Sequence, residues 1–207
     1  MRKYLVILFA FLSLSLVGRA GEGLLATDSL YMGTIVKFDI ASPIVIPATT
    51  GWGVQNYEIA ANVRLAKRFY PTLELGYTGG TITRSDTVAY RAQGGFFRIG
   101  ADINPLKKHP ESPHALLVGL RFGTGVQSKG YTDCWGEIVA GCQVEIAQLP
   151  PYKGGHGGSS AFYMGWMGRF KVLFTRQARY FPPEYIPGFG YRNNLGWGLN
   201  YYLGWRF

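Results

Sequence analysis

Apolar and polar residues alternate with a period of two along most of this chain. The final segment shows the pattern most clearly, because the alternation continues without a break from Asn194 to Phe207. Successive side chains of a β-strand point to opposite faces, whereas a helix would distribute both sets around its circumference. The alternation therefore predicts a β-strand here. Its apolar face carries Leu195, Trp197, Leu199, Tyr201, Leu203, Trp205 and Phe207.

The same alternation recurs upstream, in segments that end at Gly, Pro, Asn or Asp, the residues typical of turns. Most of these segments reach the roughly 9–11 residues that a tilted strand needs to cross a membrane. Eight strands are predicted, at residues 33–42, 53–67, 71–79, 88–103, 114–126, 136–148, 161–176 and 193–207.

The polar face of these strands carries isolated charges among glycines. A soluble barrel turns its apolar face inward, whereas a membrane barrel turns that face to lipid and keeps a polar interior. Small glycines beside a few long charged side chains suit the narrow lumen of eight strands, where the charges must form ion pairs. The sequence thus predicts an all-β fold, an eight-stranded antiparallel transmembrane β-barrel in up-and-down meander order. Its lumen charge network comprises Glu58, Arg64, Glu74, Arg98, Asp102, Arg121, Arg169, Lys171 and Arg206.

Aromatic residues near the predicted strand ends indicate the interfacial girdles of a membrane barrel. The girdle residues are expected to be Trp52, Phe69, Tyr70, Trp135, Trp205 and Phe207. The last strand is also expected to carry the C-terminal insertion signal, formed by Tyr201, Leu203, Trp205 and Phe207.

The N-terminus reads as an export signal. Arg2 and Lys3 precede an apolar run at 4–17, and small residues allow cleavage after Ala20. The apolar run is too short for a membrane-spanning helix, which needs about 20 residues. The localisation is therefore predicted to be the outer membrane of a Gram-negative bacterium. The expected organisation is a cleaved signal peptide at 1–20, an N-terminal periplasmic segment at 21–32 and the barrel at 33–207.

Composition excludes several other classes. The chain is 47% hydrophobic, 15% aromatic and 16% charged, with only two cysteines, so it is neither disordered nor a disulfide-dense scaffold. The formal charge of +9 would favour nucleic acid, but export makes nucleic acid an unexpected partner.

Strand parity sets the expected topology, with both termini in the periplasm. The external loops are then 43–52, 80–87, 127–135 and 177–192, and the periplasmic turns are 68–70, 104–113 and 149–160.

Catalytic, metal and cofactor sites are not expected. His109, His114 and His156 fall at the periplasmic end without metal-ligand spacing. His156 and Ser159 offer a base and a hydroxyl, but nearness in sequence supplies neither an orienting acid nor an oxyanion hole. Cys134 and Cys142 lie eight residues apart near one strand. Their Cα atoms would be about 26 Å apart, so no disulfide is predicted between them.

The last external loop is rich in aromatic residues and prolines. Two interpretations remain open: an interaction site for a partner, or self-packing that caps the barrel mouth. Its candidate interaction residues are Tyr180, Phe181, Tyr185, Ile186, Phe189 and Tyr191. Basic residues near the outside could also pair with lipopolysaccharide phosphates. These are Arg84, Lys129, Arg176, Arg179 and Arg192.

Seven short stretches of the chain together resemble a known family. They are YMGT at 31–34, RFYPTLELGY at 68–77, FFRIGAD at 96–102, LVGLRFG at 117–123, FYMGW at 162–166, YIPGFG at 185–190 and WGLNYY at 197–202. In this order they resemble a family of small outer-membrane β-barrels of Bacteroidota that is catalogued as a domain of unknown function. The resemblance implies a non-enzymatic barrel that accompanies the barrel-assembly machinery of that phylum, alongside lipoproteins. The connector 149–160 departs from the family pattern by being richer in Pro and Gly.

Three hypotheses for function follow. The first is a non-enzymatic accessory or structural subunit of a multi-protein outer-membrane complex. The second is a lipid-modifying outer-membrane enzyme, which requires His156 or a loop residue at the outer rim. The third is a structural barrel of the lipid phase or a small binder of lipopolysaccharide. The expected partners are the lipid bilayer, lipopolysaccharide and other outer-membrane proteins.

Overall fold

The computed structural model describes residues 31–50, 53–65, 68–85, 88–106, 112, 114–128, 130–148, 161–175 and 184–207. The predicted signal peptide at 1–20 and most of the segment at 21–32 lie outside the described residues.

The described part of the chain forms ten strands and one short helix. The elements are β1 Tyr31–Asp39, α1 Ser42–Thr50, β2 Val54–Leu65, β3 Phe69–Ser85, β4 Val88–Ile103, β5 Ala115–Gln127, β6 Thr132–Gln148, β7 Ala161–Leu173, β8 Tyr185–Ile186, β9 Gly190–Tyr191 and β10 Leu195–Arg206.

Eight antiparallel strands close into a barrel in the order β1-β10-β7-β6-β5-β4-β3-β2. The short helix α1 follows β1, and a two-stranded hairpin, β8 and β9, lies between β7 and β10. No described helix is long and apolar enough to span a membrane.

The predicted barrel of eight strands in meander order is confirmed, with corrections to three connections. β3 and β4 stay paired out to Ser85 and Val88, so the predicted loop 80–87 shortens to two residues. Gly80 does not mark a turn: Thr81 N–H donates to Gly53 O at 2.5 Å, and glycine there permits close backbone approach. The predicted loop 43–52 contains α1, and β6 begins four residues before its predicted start.

Many large apolar side chains of the barrel strands face outward, and most of their charged side chains face inward. Leu75 and Ile99 point outward and are 50% and 56% exposed, whereas their neighbours Glu74 and Arg98 point inward and are 1% and 2% exposed. On all eight barrel strands, the residues that alternate along the sequence also alternate between the outer and the inner face. The faces assigned from sequence are therefore those observed. This distribution is the opposite of that of a water-soluble barrel.

The expected aromatic girdle needs correction at two positions. Tyr70 and Trp135 are buried inside the barrel rather than placed on its rim. Trp135 lies at an inward-pointing position of β6, where its Nε1–H donates to Glu137 at 2.7 Å. Trp205 does contact aromatic neighbours at its end of the barrel, with ring centroids 5.8 Å from Phe162 and 6.4 Å from Phe207. Trp52 lies outside the described residues.

We call the end of the barrel that holds α1, the β3–β4 connection and the β8–β9 hairpin the loop end. The opposite end, near Tyr31 and Phe207, is the turn end. The lumen between them is filled. Val54, Ile82, Ala92 and Tyr185 pack together at the loop end, and two small clusters close the turn end. These are Ile35 with Ala161 and Tyr163, and Tyr70 with Ala115 and Leu117.

Candidate functional site: the charged lumen and the inserted hairpin

A cluster of buried charges occupies the middle of the lumen. Arg169 contacts three carboxylates: its Nη1 lies 2.6 Å from Glu74 Oε2 and 3.0 Å from Glu137 Oε2, and its Nη2 lies 2.6 Å from Glu58 Oε1. All four side chains are at most 4% exposed. At such burial an unpaired charge is strongly unfavourable, so each charge depends on its partners.

Two further arginines extend this cluster. Arg98 Nη1 donates to Glu58 at 2.7 Å and to Glu74 at 2.9 Å. Arg121 holds Asp102 with two hydrogen bonds of 2.6 and 2.8 Å, and its Nε donates to Glu74 at 2.9 Å. Glu74 therefore accepts from Arg98, Arg121 and Arg169, and it links the whole cluster.

Strand register explains how these long side chains fit in a narrow barrel. Glu74 and Arg98 are direct cross-strand partners on β3 and β4. Each cluster arginine also faces a glycine across one of its strand pairs: Gly123 faces Arg98, Gly100 faces Arg121 and Gly198 faces Arg169. Because a glycine has no side chain, each pair leaves lumen space for the guanidinium group.

A small polar cavity adjoins the cluster near Lys37 and Tyr202. Its volume is about 10 Å³, which accommodates about one water molecule and no substrate-sized ligand. Lys37 Nζ lies 4.5 Å from the centroid of the Tyr202 ring. The charged cluster therefore leaves little free space beside it.

The β8–β9 hairpin is inserted into the loop end of the lumen, above the charges. Its tip is a type II turn: Phe189 N–H donates to Ile186 O at 3.1 Å, and Gly188 has a φ of 75°. This turn type favours proline followed by a residue with positive φ, and the chain supplies Pro187 and Gly188.

Two charged side chains of the lumen bind the backbone of this hairpin. Gly188 O accepts from Arg98 Nη2 at 2.7 Å and from Lys171 Nζ at 2.8 Å. Lys171 Nζ also donates to Phe189 O at 3.1 Å. Arg98 thereby joins the ion-pair cluster to the hairpin, so the position of the loop depends on the charges below it.

Apolar contacts complete the insertion. Phe96, Trp135, Ile186 and Phe189 form one buried cluster, in which the Trp135 and Phe189 rings meet edge to face at 5.8 Å between centroids. Burial raises the pKa of the Tyr185 phenol above its usual range, so this group stays protonated and neutral.

The structure brings together most of the predicted lumen network. Glu58, Glu74, Arg98, Asp102, Arg121 and Arg169 form the cluster, and Lys171 holds the hairpin. Two members lie apart from it: Arg206 lies 3.9 Å from Glu145, and buried Arg64 lies 6.0 Å from the Tyr70 ring centroid.

Sequence reasoning missed Glu137, whose Oε2 accepts from Arg169 Nη1. It also missed Lys37 and Asn200, whose Oδ1 accepts from Arg169 Nε at 2.6 Å. All three occupy inward positions of their strands, so the alternation itself was the available signal. The predicted β6 begins at residue 136, which places Glu137 at the end of that strand.

The two interpretations of the last loop can now be compared. Tyr185, Ile186 and Phe189 are at most 4% exposed, so they pack inside the barrel mouth and are not available as exposed anchors. Tyr191 is 47% exposed, with its ring 5.6 Å from that of Tyr185. Tyr180 and Phe181 lie outside the described residues. The inserted part of this loop therefore caps the barrel mouth, as the self-packing interpretation predicts.

The remaining candidate residues fall in several places. Arg192 Nη2 forms a 2.5 Å ion pair with Asp133. Cys134 and Cys142 are both free and both lie on β6. His114 is exposed at the turn end, where its Nδ1 accepts from Glu145 N–H at 3.2 Å. Among the described residues, no group of three His, Cys, Asp or Glu side chains could hold a metal ion. Lys129, Arg176, Arg179, His109, His156 and Ser159 lie outside the described residues, as does the side chain of Arg84.

The fold and the lumen define a class of protein: a closed eight-stranded β-barrel with an apolar outer wall, a charged core and a self-inserted loop. The chain belongs to a family described as a domain of unknown function (DUF6048), whose model matches residues 1–132. The matched part includes β1 to β5 and therefore contributes Glu58, Glu74, Arg98 and Arg121 to the lumen. No curated protein and no solved structure matches the chain.

Replacing Arg169 by methionine should strongly destabilise the barrel. Arg169→Met removes a contact from each of Glu58, Glu74 and Glu137 and leaves the four buried carboxylates of the cluster with only Arg98 and Arg121 as arginine partners. Part of the buried negative charge is then uncompensated, and the expected loss is about 3–5 kcal/mol in the free energy of unfolding. Urea titration in detergent micelles measures this loss. Arg206→Met is the control, because its 3.9 Å pair is partly exposed and should contribute less than about 1 kcal/mol. Equal losses in the two variants would contradict the role of the cluster.

Replacing Gly188 by alanine should release the inserted hairpin. A Cβ at this position overlaps the Phe96 ring, in addition to the backbone strain at a φ of 75°. Trypsin cleavage after Arg192 should become about tenfold faster, because cleavage follows the population of the open loop. Gly130→Ala is the matched control, since Gly130 has a φ of 77° and nothing within 4 Å of an added Cβ. The prediction fails if both variants are cleaved at the wild-type rate.

Proposed function

We propose that this protein is a non-enzymatic integral outer-membrane β-barrel that serves as an accessory or structural subunit of a multi-protein complex. The observation that carries the proposal is the filled lumen. Charged side chains and the inserted hairpin occupy the interior, and the described cavity holds about one water molecule. Contacts with other molecules are then left to the outer wall and to the two ends.

The apolar outer wall supports the membrane location. Large apolar side chains are exposed on every barrel strand, and many of them alternate with buried polar or charged residues. Water would leave this surface unfavourably hydrated, whereas lipid solvates it. With the termini in the periplasm, the loop end faces the outside of the cell.

The resemblance noted from sequence gives the proposal its finer form. A small barrel of this family would accompany the barrel-assembly machinery, together with lipoproteins. Such a subunit contributes a rigid wall that other barrels and lipoproteins contact, and it needs neither a cofactor nor a reactive side chain. The ion-pair cluster supports this role, because it stiffens a barrel that is too narrow to transport a solute.

An arginine on the outer wall tests the membrane location. Leu75→Arg places a charge at mid-height of the proposed lipid-facing surface, which should cost about 2–4 kcal/mol and reduce the folded protein in outer membranes. The folded fraction is measured by the mobility difference between heated and unheated samples in SDS gels. Thr81→Arg is the control, because Thr81 is exposed above the end of β2. A Leu75→Arg variant as well folded as the control would place this wall in water.

Purification from native membranes tests the complex. The tagged mature protein is extracted from its own outer membrane in mild detergent and analysed by mass spectrometry. We expect a large assembly barrel and lipoproteins to be recovered in constant ratio to the tagged chain. Recovery of the chain alone would contradict the subunit proposal, and bound lipid or altered lipid would then support the other two hypotheses.

A further inference from the structure

The barrel is closed least completely where its first and last strands meet. β10 pairs with β7 along its full length, from Leu195 opposite Val172 to Arg206 opposite Ala161. It pairs with β1 only from Tyr202 to Arg206. Ile40 N–H and Ala41 N–H still donate to Tyr201 O, at 2.8 and 3.3 Å, after which the chain leaves the wall and enters α1. Residues 195–200 therefore have a strand on one side only among the described residues.

The pairing pattern identifies which backbone groups face this gap. Phe207 and Thr34 exchange two hydrogen bonds between β10 and β1, at 2.9 and 3.3 Å, and Tyr201 O also accepts from β1. In an antiparallel ladder every second residue bonds to the same neighbour. The odd-numbered residues of β10 thus point their N–H and C=O groups away from β7. Among the described residues, no β1 strand partner meets those groups of Leu195, Trp197 and Leu199.

These same residues carry the most exposed apolar side chains of the strand. Trp197 is 83% exposed, and Leu195 and Leu199 are 56% and 58% exposed. In the proposed membrane orientation, these three side chains face lipid. Free backbone groups are strongly unfavourable in hydrocarbon, where open sheet edges do not persist. The edge therefore requires a cover that supplies hydrogen-bond donors and acceptors, which lipid tails do not.

We propose that the edge of β10 at residues 195–200 is a docking site for an extended strand of another outer-membrane protein. This inference rests on the proposed function, and it places the partner contact at one edge of the barrel. The partner strand would continue the path of β1, run antiparallel to β10 and pair with the backbone of Leu195, Trp197 and Leu199. Strand addition of this kind derives its affinity from main-chain hydrogen bonds.

Strand direction argues against a second copy of this chain as the partner. The other edge of the gap belongs to β2, whose pairing with β1 covers only its residues 59–65. β2 and β10 both run from the loop end to the turn end. A second copy in the same membrane orientation would present either edge parallel to β10, which is the less stable arrangement. A strand of a different protein, running from the turn end to the loop end, fits the antiparallel arrangement.

Proline at Trp197 tests the backbone contact. Trp197→Pro removes an N–H that points toward the gap and spares the ladder with β7, so the barrel should still fold, as its heat-dependent gel mobility would show. Recovery of partner proteins from native membranes should fall about tenfold relative to wild type. Trp197→Ala keeps the N–H and should lower recovery less. Equal loss in the two variants would assign the contact to the side chain and overturn strand pairing, as would wild-type recovery with Trp197→Pro.

Photo-crosslinking keeps the test independent of these substitutions. A benzophenone amino acid at Leu199 should give an adduct with one partner protein in native membranes. The same group at Ile99 is the matched control, because Ile99 is 56% exposed on β4, which is paired on both sides there. An adduct within the same chain, or one only with lipid, would overturn the docking site. If wild-type protein is recovered with partners that crosslink at Ile99 alone, the subunit proposal stands and the docking site fails. If it is recovered alone, both fail.

Discussion

The structure depends on charge neutralisation in a space that water barely enters. Three arginines and four carboxylates lie at the centre of the barrel, and Glu74 joins all three arginines. Burial makes each charge costly unless it is paired, so the partners must meet in one specific geometry. That geometry fixes the register of β2 to β7 and β10 relative to one another, because a shift of one residue would turn the charged side chains toward the outer surface.

Side chains of the charged lumen also hold the longest loop at the loop end of the barrel in place. Arg98 uses one nitrogen for carboxylates and another for Gly188 O, and Lys171 adds two more contacts to the hairpin backbone. The carbonyl oxygens of Gly188 and Phe189 thus accept hydrogen bonds from N–H groups of Arg98 and Lys171 that do not bind a carboxylate. The loop for which composition left both a partner site and self-packing open is therefore in part an interior element, and it closes the mouth of the barrel.

A filled barrel interacts through its surface. Most of the outer wall is continuous, since strands pair along their lengths, and lipid can cover it without loss of hydrogen bonds. The exception is the junction of β1 and β10, where β1 ends early and its chain turns into α1. In the membrane setting that we propose, a protein strand would have an advantage over lipid at this discontinuity, because only a protein strand offers backbone donors and acceptors.

Alternation along the chain was enough to predict the eight strands, their meander order and the face of most strand residues. Alternation with a period of two can be recognised from neighbouring residues alone. Leu75 beside Glu74, for example, already indicates that one face of β3 is apolar and the other charged. Tertiary structure alone decided which charges meet, that Glu137 joins the cluster, that Trp135 lies inside, and that the Pro187–Gly188 turn enters the lumen. These outcomes depend on strand register and barrel closure, which bring together residues more than a hundred positions apart, such as Glu58 and Arg169. Alternation along one strand carries no information about its neighbour's register.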